Sequence, residues 1–233
     1  MGLIDQELDK RLPDFMHMEA QARKRIPRFV FEYVCNGTGL YEAVERNRQS
    51  LARVLFRPRY SVDVANPCLE TPIFGQRFDY PFGIAPLGLG GLIWPHSALS
   101  CAEIAKQANI PIVLSNFATS SLESVAEAAG NNAWFQLYPS SFGSIEIDHL
   151  RRLMDTGYQT LVVTVDTPTA IRRPHDVRNG MSVPPRIDLS AVLQILSCPV
   201  WALAQLVNQP LKFENFERYV PQGSTLGERG QFL

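Results

Sequence analysis

The chain has 233 residues, of which 45% are hydrophobic and 19% are charged, and its net charge is −1. This composition excludes a disordered chain and gives no electrostatic reason to expect nucleic acid as a partner. Four scattered cysteines without a CxxC pair argue against a disulfide framework or a zinc site, so we expect no bound metal. The first ten residues lack the basic and then apolar layout of a signal peptide, which predicts a cytoplasmic protein.

The amino-terminal part of the chain has the pattern of helices. Apolar residues recur at helical spacing before residue 16, and a second helix begins after Pro27 and can end at Gly37. A third helix is predicted over about 41–55. Residues 56–80 combine prolines, β-branched residues and turn formers, which favours short strands and turns.

A repeating unit follows residue 81. Four apolar, strand-like runs occur at 82–86, 112–115, 134–138 and 160–166. Helical patterns lie between them at 97–109, 122–129 and 145–156. This alternation predicts parallel strands with crossover helices, and the near-continuous apolar runs predict strands buried on both faces. An open doubly wound sheet and a (β/α)8 barrel both produce this pattern.

The polar ends of the predicted strands favour the barrel. The second run ends in Ser115, the third in Gln136 and Tyr138, and the fourth in Thr164 and Asp166. Each of the last two pairs is spaced by two residues and therefore shares one face of its strand. A barrel places its active site at the carboxyl ends of its strands. Because a barrel needs eight βα units and about four are present, the sequence predicts half a barrel of the α/β class.

Three other features of the sequence give weaker evidence of function. The glycine-rich loop 85–91 lacks the spacing of a dinucleotide fingerprint and reads as a tight turn. The basic run 171–178 follows a strand end and is either a solvated loop or an anion site. The histidines show no metal-ligand spacing and are interpreted as surface or loop residues: His17, His96, His149 and His175.

Five segments in chain order resemble one family: Phe56-Arg-Pro-Arg59, Ile84-Ala-Pro86, Leu114-Ser-Asn-Phe-Ala-Thr-Ser-Ser121, Phe135-Gln-Leu-Tyr138 and Thr164-Val-Asp-Thr-Pro168. They are similar to the FMN-dependent α-hydroxy acid oxidising enzymes, which include glycolate oxidase, L-lactate dehydrogenase and mandelate dehydrogenase. The resemblance runs from about residue 5 to residue 220. Trp94-Pro95, Arg178-Asn-Gly180 and Asn215-Phe216 are most similar to the mandelate and lactate dehydrogenase branch. The resemblance implies a TIM (β/α)8 barrel of the FMN-linked type.

The resemblance also implies the roles of individual residues. Those that would hold the substrate are Tyr33, Tyr138 and Arg173, and those that would bind FMN are Pro86, Leu87, Gly88, Ser115, Gln136 and Thr164. Asp166 would have a supporting role. Leu87 departs from the usual small polar residue, which leaves only its backbone to contact the flavin. Gly88 accompanies dehydrogenases, which favours a membrane quinone or electron-transport chain as electron acceptor.

The implied reaction is oxidation of an L-2-hydroxy acid to the 2-keto acid, in an enzyme that forms a homo-oligomer at full length. The family's histidine base has no counterpart in these 233 residues. The resemblance therefore predicts one hydroxy acid dehydrogenase domain truncated at its C-terminal end and inactive in isolation. Two alternatives stay open: a non-catalytic remnant of such an enzyme, and another FMN barrel such as an isomerase. Tyr33, Tyr138 and Arg173 disfavour the isomerase because they match a carboxylate-bearing substrate.

We predict three regions in this domain: a helical and hairpin segment at 1–80, a half-barrel at 81–175 and an extended loop at 176–220. Within the loop, residues 189–211 contain no charge and 15 of the 23 are apolar. Ser190, Gln194 and Ser197 would line one helical face and leave the other apolar. This pattern fits peripheral attachment to the inner face of the cell membrane or packing on the protein's own surface. The resemblance to mandelate-type dehydrogenases, which have a membrane-docking insertion at this place, favours attachment.

Overall fold

A computed structural model describes residues 3–139, 143–165, 173–180, 188–208 and 211–220. The chain forms two compact units. Unit 1 comprises Met1–Val44 with Arg172–Pro210, and unit 2 comprises Glu45–Ile171 with Leu211–Leu233. The predicted site residue Asp166 lies outside the described residues.

Eleven α-helices occur in the described part of the chain. In order they are α1 (Leu3–Arg11), α2 (Phe15–Arg25), α3 (Arg28–Cys35), α4 (Glu42–Ala52), α5 (Gly90–Ile93), α6 (Ser97–Gln107), α7 (Leu122–Ala129), α8 (Gly143–Asp155), α9 (Pro174–Arg178), α10 (Leu189–Leu196) and α11 (Pro199–Val207). The described strands are β1 (Thr71–Ile73), β2 (Gln76–Phe78), β3 (Ile112–Ser115), β4 (Ala133–Leu137) and β5 (Leu161–Val163). The predicted helices from residue 28 onward are confirmed, with ends that differ by at most three residues. The first predicted pattern, before residue 16, is divided between α1 and α2.

Unit 1 is built around helix α3. Its residues Phe29, Val30 and Phe31 are buried. The ring of Trp201 on α11 meets the ring of Phe29 edge to face, with centroids 6.2 Å apart. The side-chain oxygen of Gln194 on α10 accepts a hydrogen bond of 3.0 Å from the amide of Phe29. Both late helices are therefore anchored on the first turn of α3.

Unit 2 contains the parallel sheet in the order β3-β4-β5. Ser115 is paired with Gln136, and Gln136 with Val162, across the three strands. The prediction of a first strand at 82–86 is wrong, because only Ile84 forms a bridge, to Ile112. Proline lacks an amide donor, and prolines at both ends of 81–86 limit the ladder to this one pair.

One face of this sheet carries the core of unit 2, which it shares with helices α6, α7 and α8. Its buried members include Ala105, Ile112, Leu114, Leu122, Val125, Phe135, Leu137 and Leu153. The prediction that every strand is buried on both faces is wrong for β5, where Leu161 and Val163 are exposed. Strand β5 lies at an edge of the described sheet and has a neighbouring strand on one side only.

The opposite face of the sheet is covered at its amino end by the β1–β2 hairpin. The strands pair antiparallel from Thr71↔Phe78 to Ile73↔Gln76, as predicted for short strands in this region. The ring of Trp134, near the start of β4, contacts the rings of Phe74 and Phe78 at 5.5 and 6.0 Å. The hairpin therefore fills the amino end of this face, and the carboxyl end carries polar side chains.

Residues 211–220, here called the strap, belong to unit 2 and are held to the rest of it by Asn215. This side chain is fully buried; its oxygen accepts from the amide of Leu122 at 2.8 Å, and its nitrogen donates to the carbonyls of Asn116 and Ser120. The backbone carbonyl of Asn215 accepts a hydrogen bond from Arg152 and lies 3.0 Å from Nε2 of His149.

The interpretation of His149 as a surface or loop residue is wrong. It lies on α8, where it is 1% exposed and packs edge to face on Phe216 of the strap. Burial lowers the pKa of the His149 imidazole below its usual value, which favours the neutral ring. A neutral ring can donate one hydrogen bond from Nε2, which fits its contact with the Asn215 carbonyl.

Candidate active site

The polar residues predicted at the strand ends come together in unit 2. Ser115 ends β3, Gln136 lies beside it on β4, and the side-chain amide of Gln136 donates a hydrogen bond of 2.8 Å to the hydroxyl of Thr164. Ser115 and Gln136 are buried, and Thr164 is half-buried. We call these three residues the polar row. The parallel register places Ser115 beside Gln136, and the side chain of Gln136 reaches Thr164, two residues beyond its paired residue Val162.

The loop after Ile84 is held against the end of β3. The amide of Leu89 donates to the carbonyl of Phe117 at 3.0 Å, and the amide of Gly91 donates to the hydroxyl of Thr119 at 2.9 Å. A Cβ on Gly91 would lie 2.4 Å from that hydroxyl oxygen, so only glycine permits this approach. The loop therefore has a fixed path, along which Pro86 and Leu87 are exposed and Gly88 is half-buried.

Tyr138 follows β4 on the polar row's side of the sheet, two residues beyond Gln136. Its ring lies 5.5 Å from that of Phe117 and is 36% exposed. Phe117 in turn stacks on Phe216 of the strap at 5.3 Å and meets Phe213 at 6.1 Å. The strap therefore supports the ring against which Tyr138 rests, a connection that the sequence pattern did not predict.

The other two predicted substrate residues meet in unit 1. The guanidinium of Arg173 lies over the ring of Tyr33, 4.9 Å from its centroid. It donates to the carbonyls of Tyr33 and Asn36 at 2.5 and 2.6 Å and pairs with Asp176 at 3.1 Å. These contacts occupy the carbonyl groups at the end of α3. A guanidinium has five N–H donors, and partners among the described residues account for three of them.

Glu32 organises the surroundings of Tyr33 and was not singled out in the sequence. Its carboxylate accepts from Arg28 at 2.6 Å and from Asn179 at 2.7 Å, and it lies 3.3 Å from Nδ1 of His175. Burial alone would raise the pKa of the Glu32 carboxyl, but these hydrogen bonds outweigh it and lower the pKa. The spacing of Arg28 and Glu32, four residues apart on a helix, was the one local signal for this cluster.

The polar row fits the polar edge of a flavin ring. Ser115 and Thr164 offer hydroxyls, and Gln136 offers a carbonyl oxygen and a second N–H beyond the one that Thr164 accepts. The side-chain oxygen of the neighbouring Asn116 is buried and has no hydrogen-bond partner among the described residues. These neutral donors and acceptors match the carbonyls and nitrogens of an isoalloxazine. The described residues hold no group of three or more metal-ligating side chains.

Helices α10 and α11 expose their apolar faces. The exposed fractions of Leu193, Leu196 and Leu203 are 59%, 68% and 62%. The expected polar face is present on α10, but Gln194 points to the protein, where it binds the amide of Phe29. Among the described residues no single helix has the length and apolarity to cross a membrane. Taken together, α10 and α11 are long and apolar enough, but a bend of 97° separates them.

The comparisons with known proteins agree on one family. A family model described as FMN-dependent dehydrogenase matches residues 22–226. The L-lactate dehydrogenase of Pseudomonas syringae pv. syringae (strain B728a) is 34% identical over 211 residues, which cover 89% of this chain and 54% of that protein. The (S)-mandelate dehydrogenase of Pseudomonas putida is 33% identical over 181 residues, which cover 78% and 46%.

Comparison with solved structures identifies members of the same family. A crystal structure of the monotopic membrane protein (S)-mandelate dehydrogenase superposes with a TM-score of 0.86 and 29% identity, and covers 94% of this chain and 58% of that one. The chain spans about half the length of the curated relatives it matches. Its sheet is accordingly part of a TIM barrel, as predicted. The chain belongs to the FMN-dependent dehydrogenase family.

Proposed function

We propose that this chain provides the flavin-ring site and the substrate-carboxylate site of an FMN-dependent L-2-hydroxy acid dehydrogenase. The observation that carries the proposal is the polar row, Ser115, Gln136 and Thr164, at the carboxyl ends of three parallel strands. This is where a TIM barrel places its chemistry. Lactate and mandelate are the substrates in the names of related enzymes, and either contains the required carboxylate beside a hydroxyl.

Each proposed role follows from the chemistry of its side chain. The polar row would hydrogen-bond the ring of FMN, and the backbone of Pro86, Leu87 and Gly88 would lie against it. When bound, FMN supplies the acceptor for the two electrons of the substrate. Tyr33 and the remaining N–H groups of Arg173 would bind the substrate carboxylate. Tyr138 would hydrogen-bond the reacting hydroxyl and fix its direction.

The test of this proposal uses the protein at its natural length, with L-lactate and L-mandelate as substrates and a dye as electron acceptor. We expect FMN-dependent turnover with at least one of them. Tyr33→Phe removes a hydroxyl from a charged ligand, so it should raise KM on the order of tenfold. Tyr60→Phe is the matched control, because Tyr60 is exposed and lies outside the proposed site.

We also expect no turnover from these 233 residues alone, because the resemblance matches none of them to the histidine base of the family. Bound FMN without turnover at natural length would favour the alternative, a non-catalytic remnant. A protein that neither binds FMN nor oxidises either acid would contradict the proposal.

We further propose that the exposed face of α10 and α11 docks the enzyme on a membrane, where a quinone or electron-transport chain accepts the electrons. Support comes from the exposed apolar side chains on both helices and from the likeness to a monotopic membrane protein. An apolar helix face that lies in the interfacial plane binds in proportion to the area it buries. Deletion of residues 189–211 should abolish co-sedimentation with liposomes, and equal sedimentation of both forms would contradict this role.

A further inference from the structure

An open cavity of about 270 Å³ lies at the surface of unit 1, where α2 ends and α10 joins α11, and most of the residues that line it are exposed. From α2, Gln21, Lys24 and Arg25 line it, and the chain segment 197–200 forms the other wall. Its volume is below the ~300 to 1,000 Å³ of pockets that enclose drug-sized ligands. The cavity is therefore suited to a small polar group and is too small for a flavin nucleotide.

The charges around this cavity select an anion. Lys24 and Arg25 stand in the last turn of α2, and no carboxylate occurs among the described residues that line the cavity. The neighbouring Glu19 pairs with Arg23 at 3.5 Å, and that arginine also lies over the ring of Phe31, 4.5 Å from its centroid. The first turn of α11 contributes to the wall through Pro199 and Val200, at the positive end of that helix.

The position of the cavity selects the kind of anion. It opens at the junction of α10 and α11, the two helices whose apolar faces are exposed. Leu196 lies one residue before the segment that forms the wall, and Val200 is both part of that wall and 57% exposed. A ligand that fits both features has an anionic group for the cavity and acyl chains for the surrounding apolar surface.

We propose that this cavity binds the phosphate headgroup of an anionic phospholipid, with Lys24 and Arg25 as its ligands. The assignment rests on the membrane docking proposed above and names the lipid class that it prefers. Arg25 can bind a phosphate oxygen pair through its planar guanidinium, and Lys24 adds a point charge. Gln21 supplies a neutral amide donor. The exposed apolar face then gives affinity for any bilayer, and the cavity gives preference for anionic ones.

The test measures the ratio of partition constants for vesicles of phosphatidylcholine with phosphatidylglycerol and vesicles of phosphatidylcholine alone. We expect the unmodified protein to bind both and to prefer the anionic vesicles. The double substitution Lys24→Gln, Arg25→Gln should lower the ratio on the order of tenfold and leave binding to phosphatidylcholine unchanged. The matched control is Lys10→Gln, Arg11→Gln, an exposed Lys-Arg pair at the end of α1 that does not line the cavity.

A second variant separates the cavity from general charge attraction. Val200→Trp fills the cavity and keeps both cations, so it should lower the ratio without weakening binding to phosphatidylcholine. Circular dichroism confirms that each variant is folded. The headgroup site would be overturned if both double variants lowered the ratio of partition constants equally, or if Val200→Trp left it unchanged. Either result would leave membrane docking intact. Absence of binding to every vesicle by the unmodified protein would overturn docking itself, and the headgroup site with it.

Discussion

Helix α7 buries its large apolar side chains, whereas α10 and α11 leave most of theirs in water. In unit 2, Leu122 and Val125 of α7 are fully buried against the sheet. In unit 1, Ala191 of α10 and Trp201 of α11 are buried, and Trp201 packs against Phe29 of α3. Most of the large apolar side chains of these two helices are exposed.

Polar groups show the same contrast. Arg152 of α8 is buried and held by Glu123 through two hydrogen bonds of 2.7 and 2.8 Å. Gln194 of α10 is turned to the protein, although the leucines beside it are exposed. An amphipathic sequence pattern therefore identifies an apolar and a polar face of a helix, but it does not determine which face is exposed to water. Four substitutions test this, in order of decreasing expected effect.

The largest effect is expected for Leu122→Ala compared with Leu203→Ala. Removal of buried methyl groups from Leu122 leaves a cavity in the core and should lower the free energy of unfolding by about 2–5 kcal/mol. The same change at exposed Leu203 should alter it by less than about 0.5 kcal/mol. Urea unfolding measures both changes in free energy. Liposome binding should be weakened more by Leu203→Ala than by Leu122→Ala. Equal destabilisation by the two substitutions would contradict the contrast between α7 and α11.

The next effect concerns the strap. Asn215→Ala removes the partners of the Leu122 amide and of two carbonyls, all of which stay buried. An unsatisfied buried group costs about 1–3 kcal/mol, so we expect a loss of roughly 3 kcal/mol in unfolding free energy. Asn208→Ala is the control, because its side chain bonds the carbonyl of Ala204 within its own helix end and should cost under about 1 kcal/mol. If Asn215→Ala lost no more unfolding free energy than Asn208→Ala, the stabilising role of Asn215 in the strap would be contradicted.

A smaller effect should follow from Glu123→Gln. Hydrogen bonds from Arg152 lower the pKa of the Glu123 carboxyl, so its contribution to stability exists above pH 4.5, its ordinary value, and is lost as the pH falls further. The substitution should cost about 1 kcal/mol at pH 7 and less at pH 4. Glu127→Gln, at an exposed position on the same helix, is the control for removal of one charge and should cost less at pH 7. A cost that is independent of pH would contradict the role of this ion pair.

The smallest effect is expected for His149→Gln. Burial lowers the pKa of the His149 ring, and its charged neighbours are Arg152, Asp148 and Arg218. The unfolded chain therefore binds a proton more readily, so stability falls as the pH drops below about 6.5. Glutamine keeps a donor for the Asn215 carbonyl and does not titrate. The Tm of the variant should decline less between pH 8 and pH 5, and an identical decline would contradict this origin of the pH dependence.

Much of the candidate site could be predicted because it depends on strand order and spacing. Ser115, Gln136 and Thr164 lie near the carboxyl ends of successive parallel strands, which brings them to one edge of the sheet. Tyr33 and Arg173 were matched through resemblance, and the structure brings them into contact. Glu32, Phe117 and Asn215 were not predicted as site or support residues, since their partners lie far away in the sequence.

The sequence by itself determined the helices, the parallel strands and the polar strand ends, because spacing and turn residues act over a few neighbours. Only the tertiary structure decided that His149 is buried and that Gln194 faces inward beneath exposed leucines. Those outcomes depend on which surface another segment covers: the strap covers His149, and the amide of Phe29 attracts Gln194. A local pattern carries no record of such distant partners, whose contacts nevertheless decide whether a polar group can be buried.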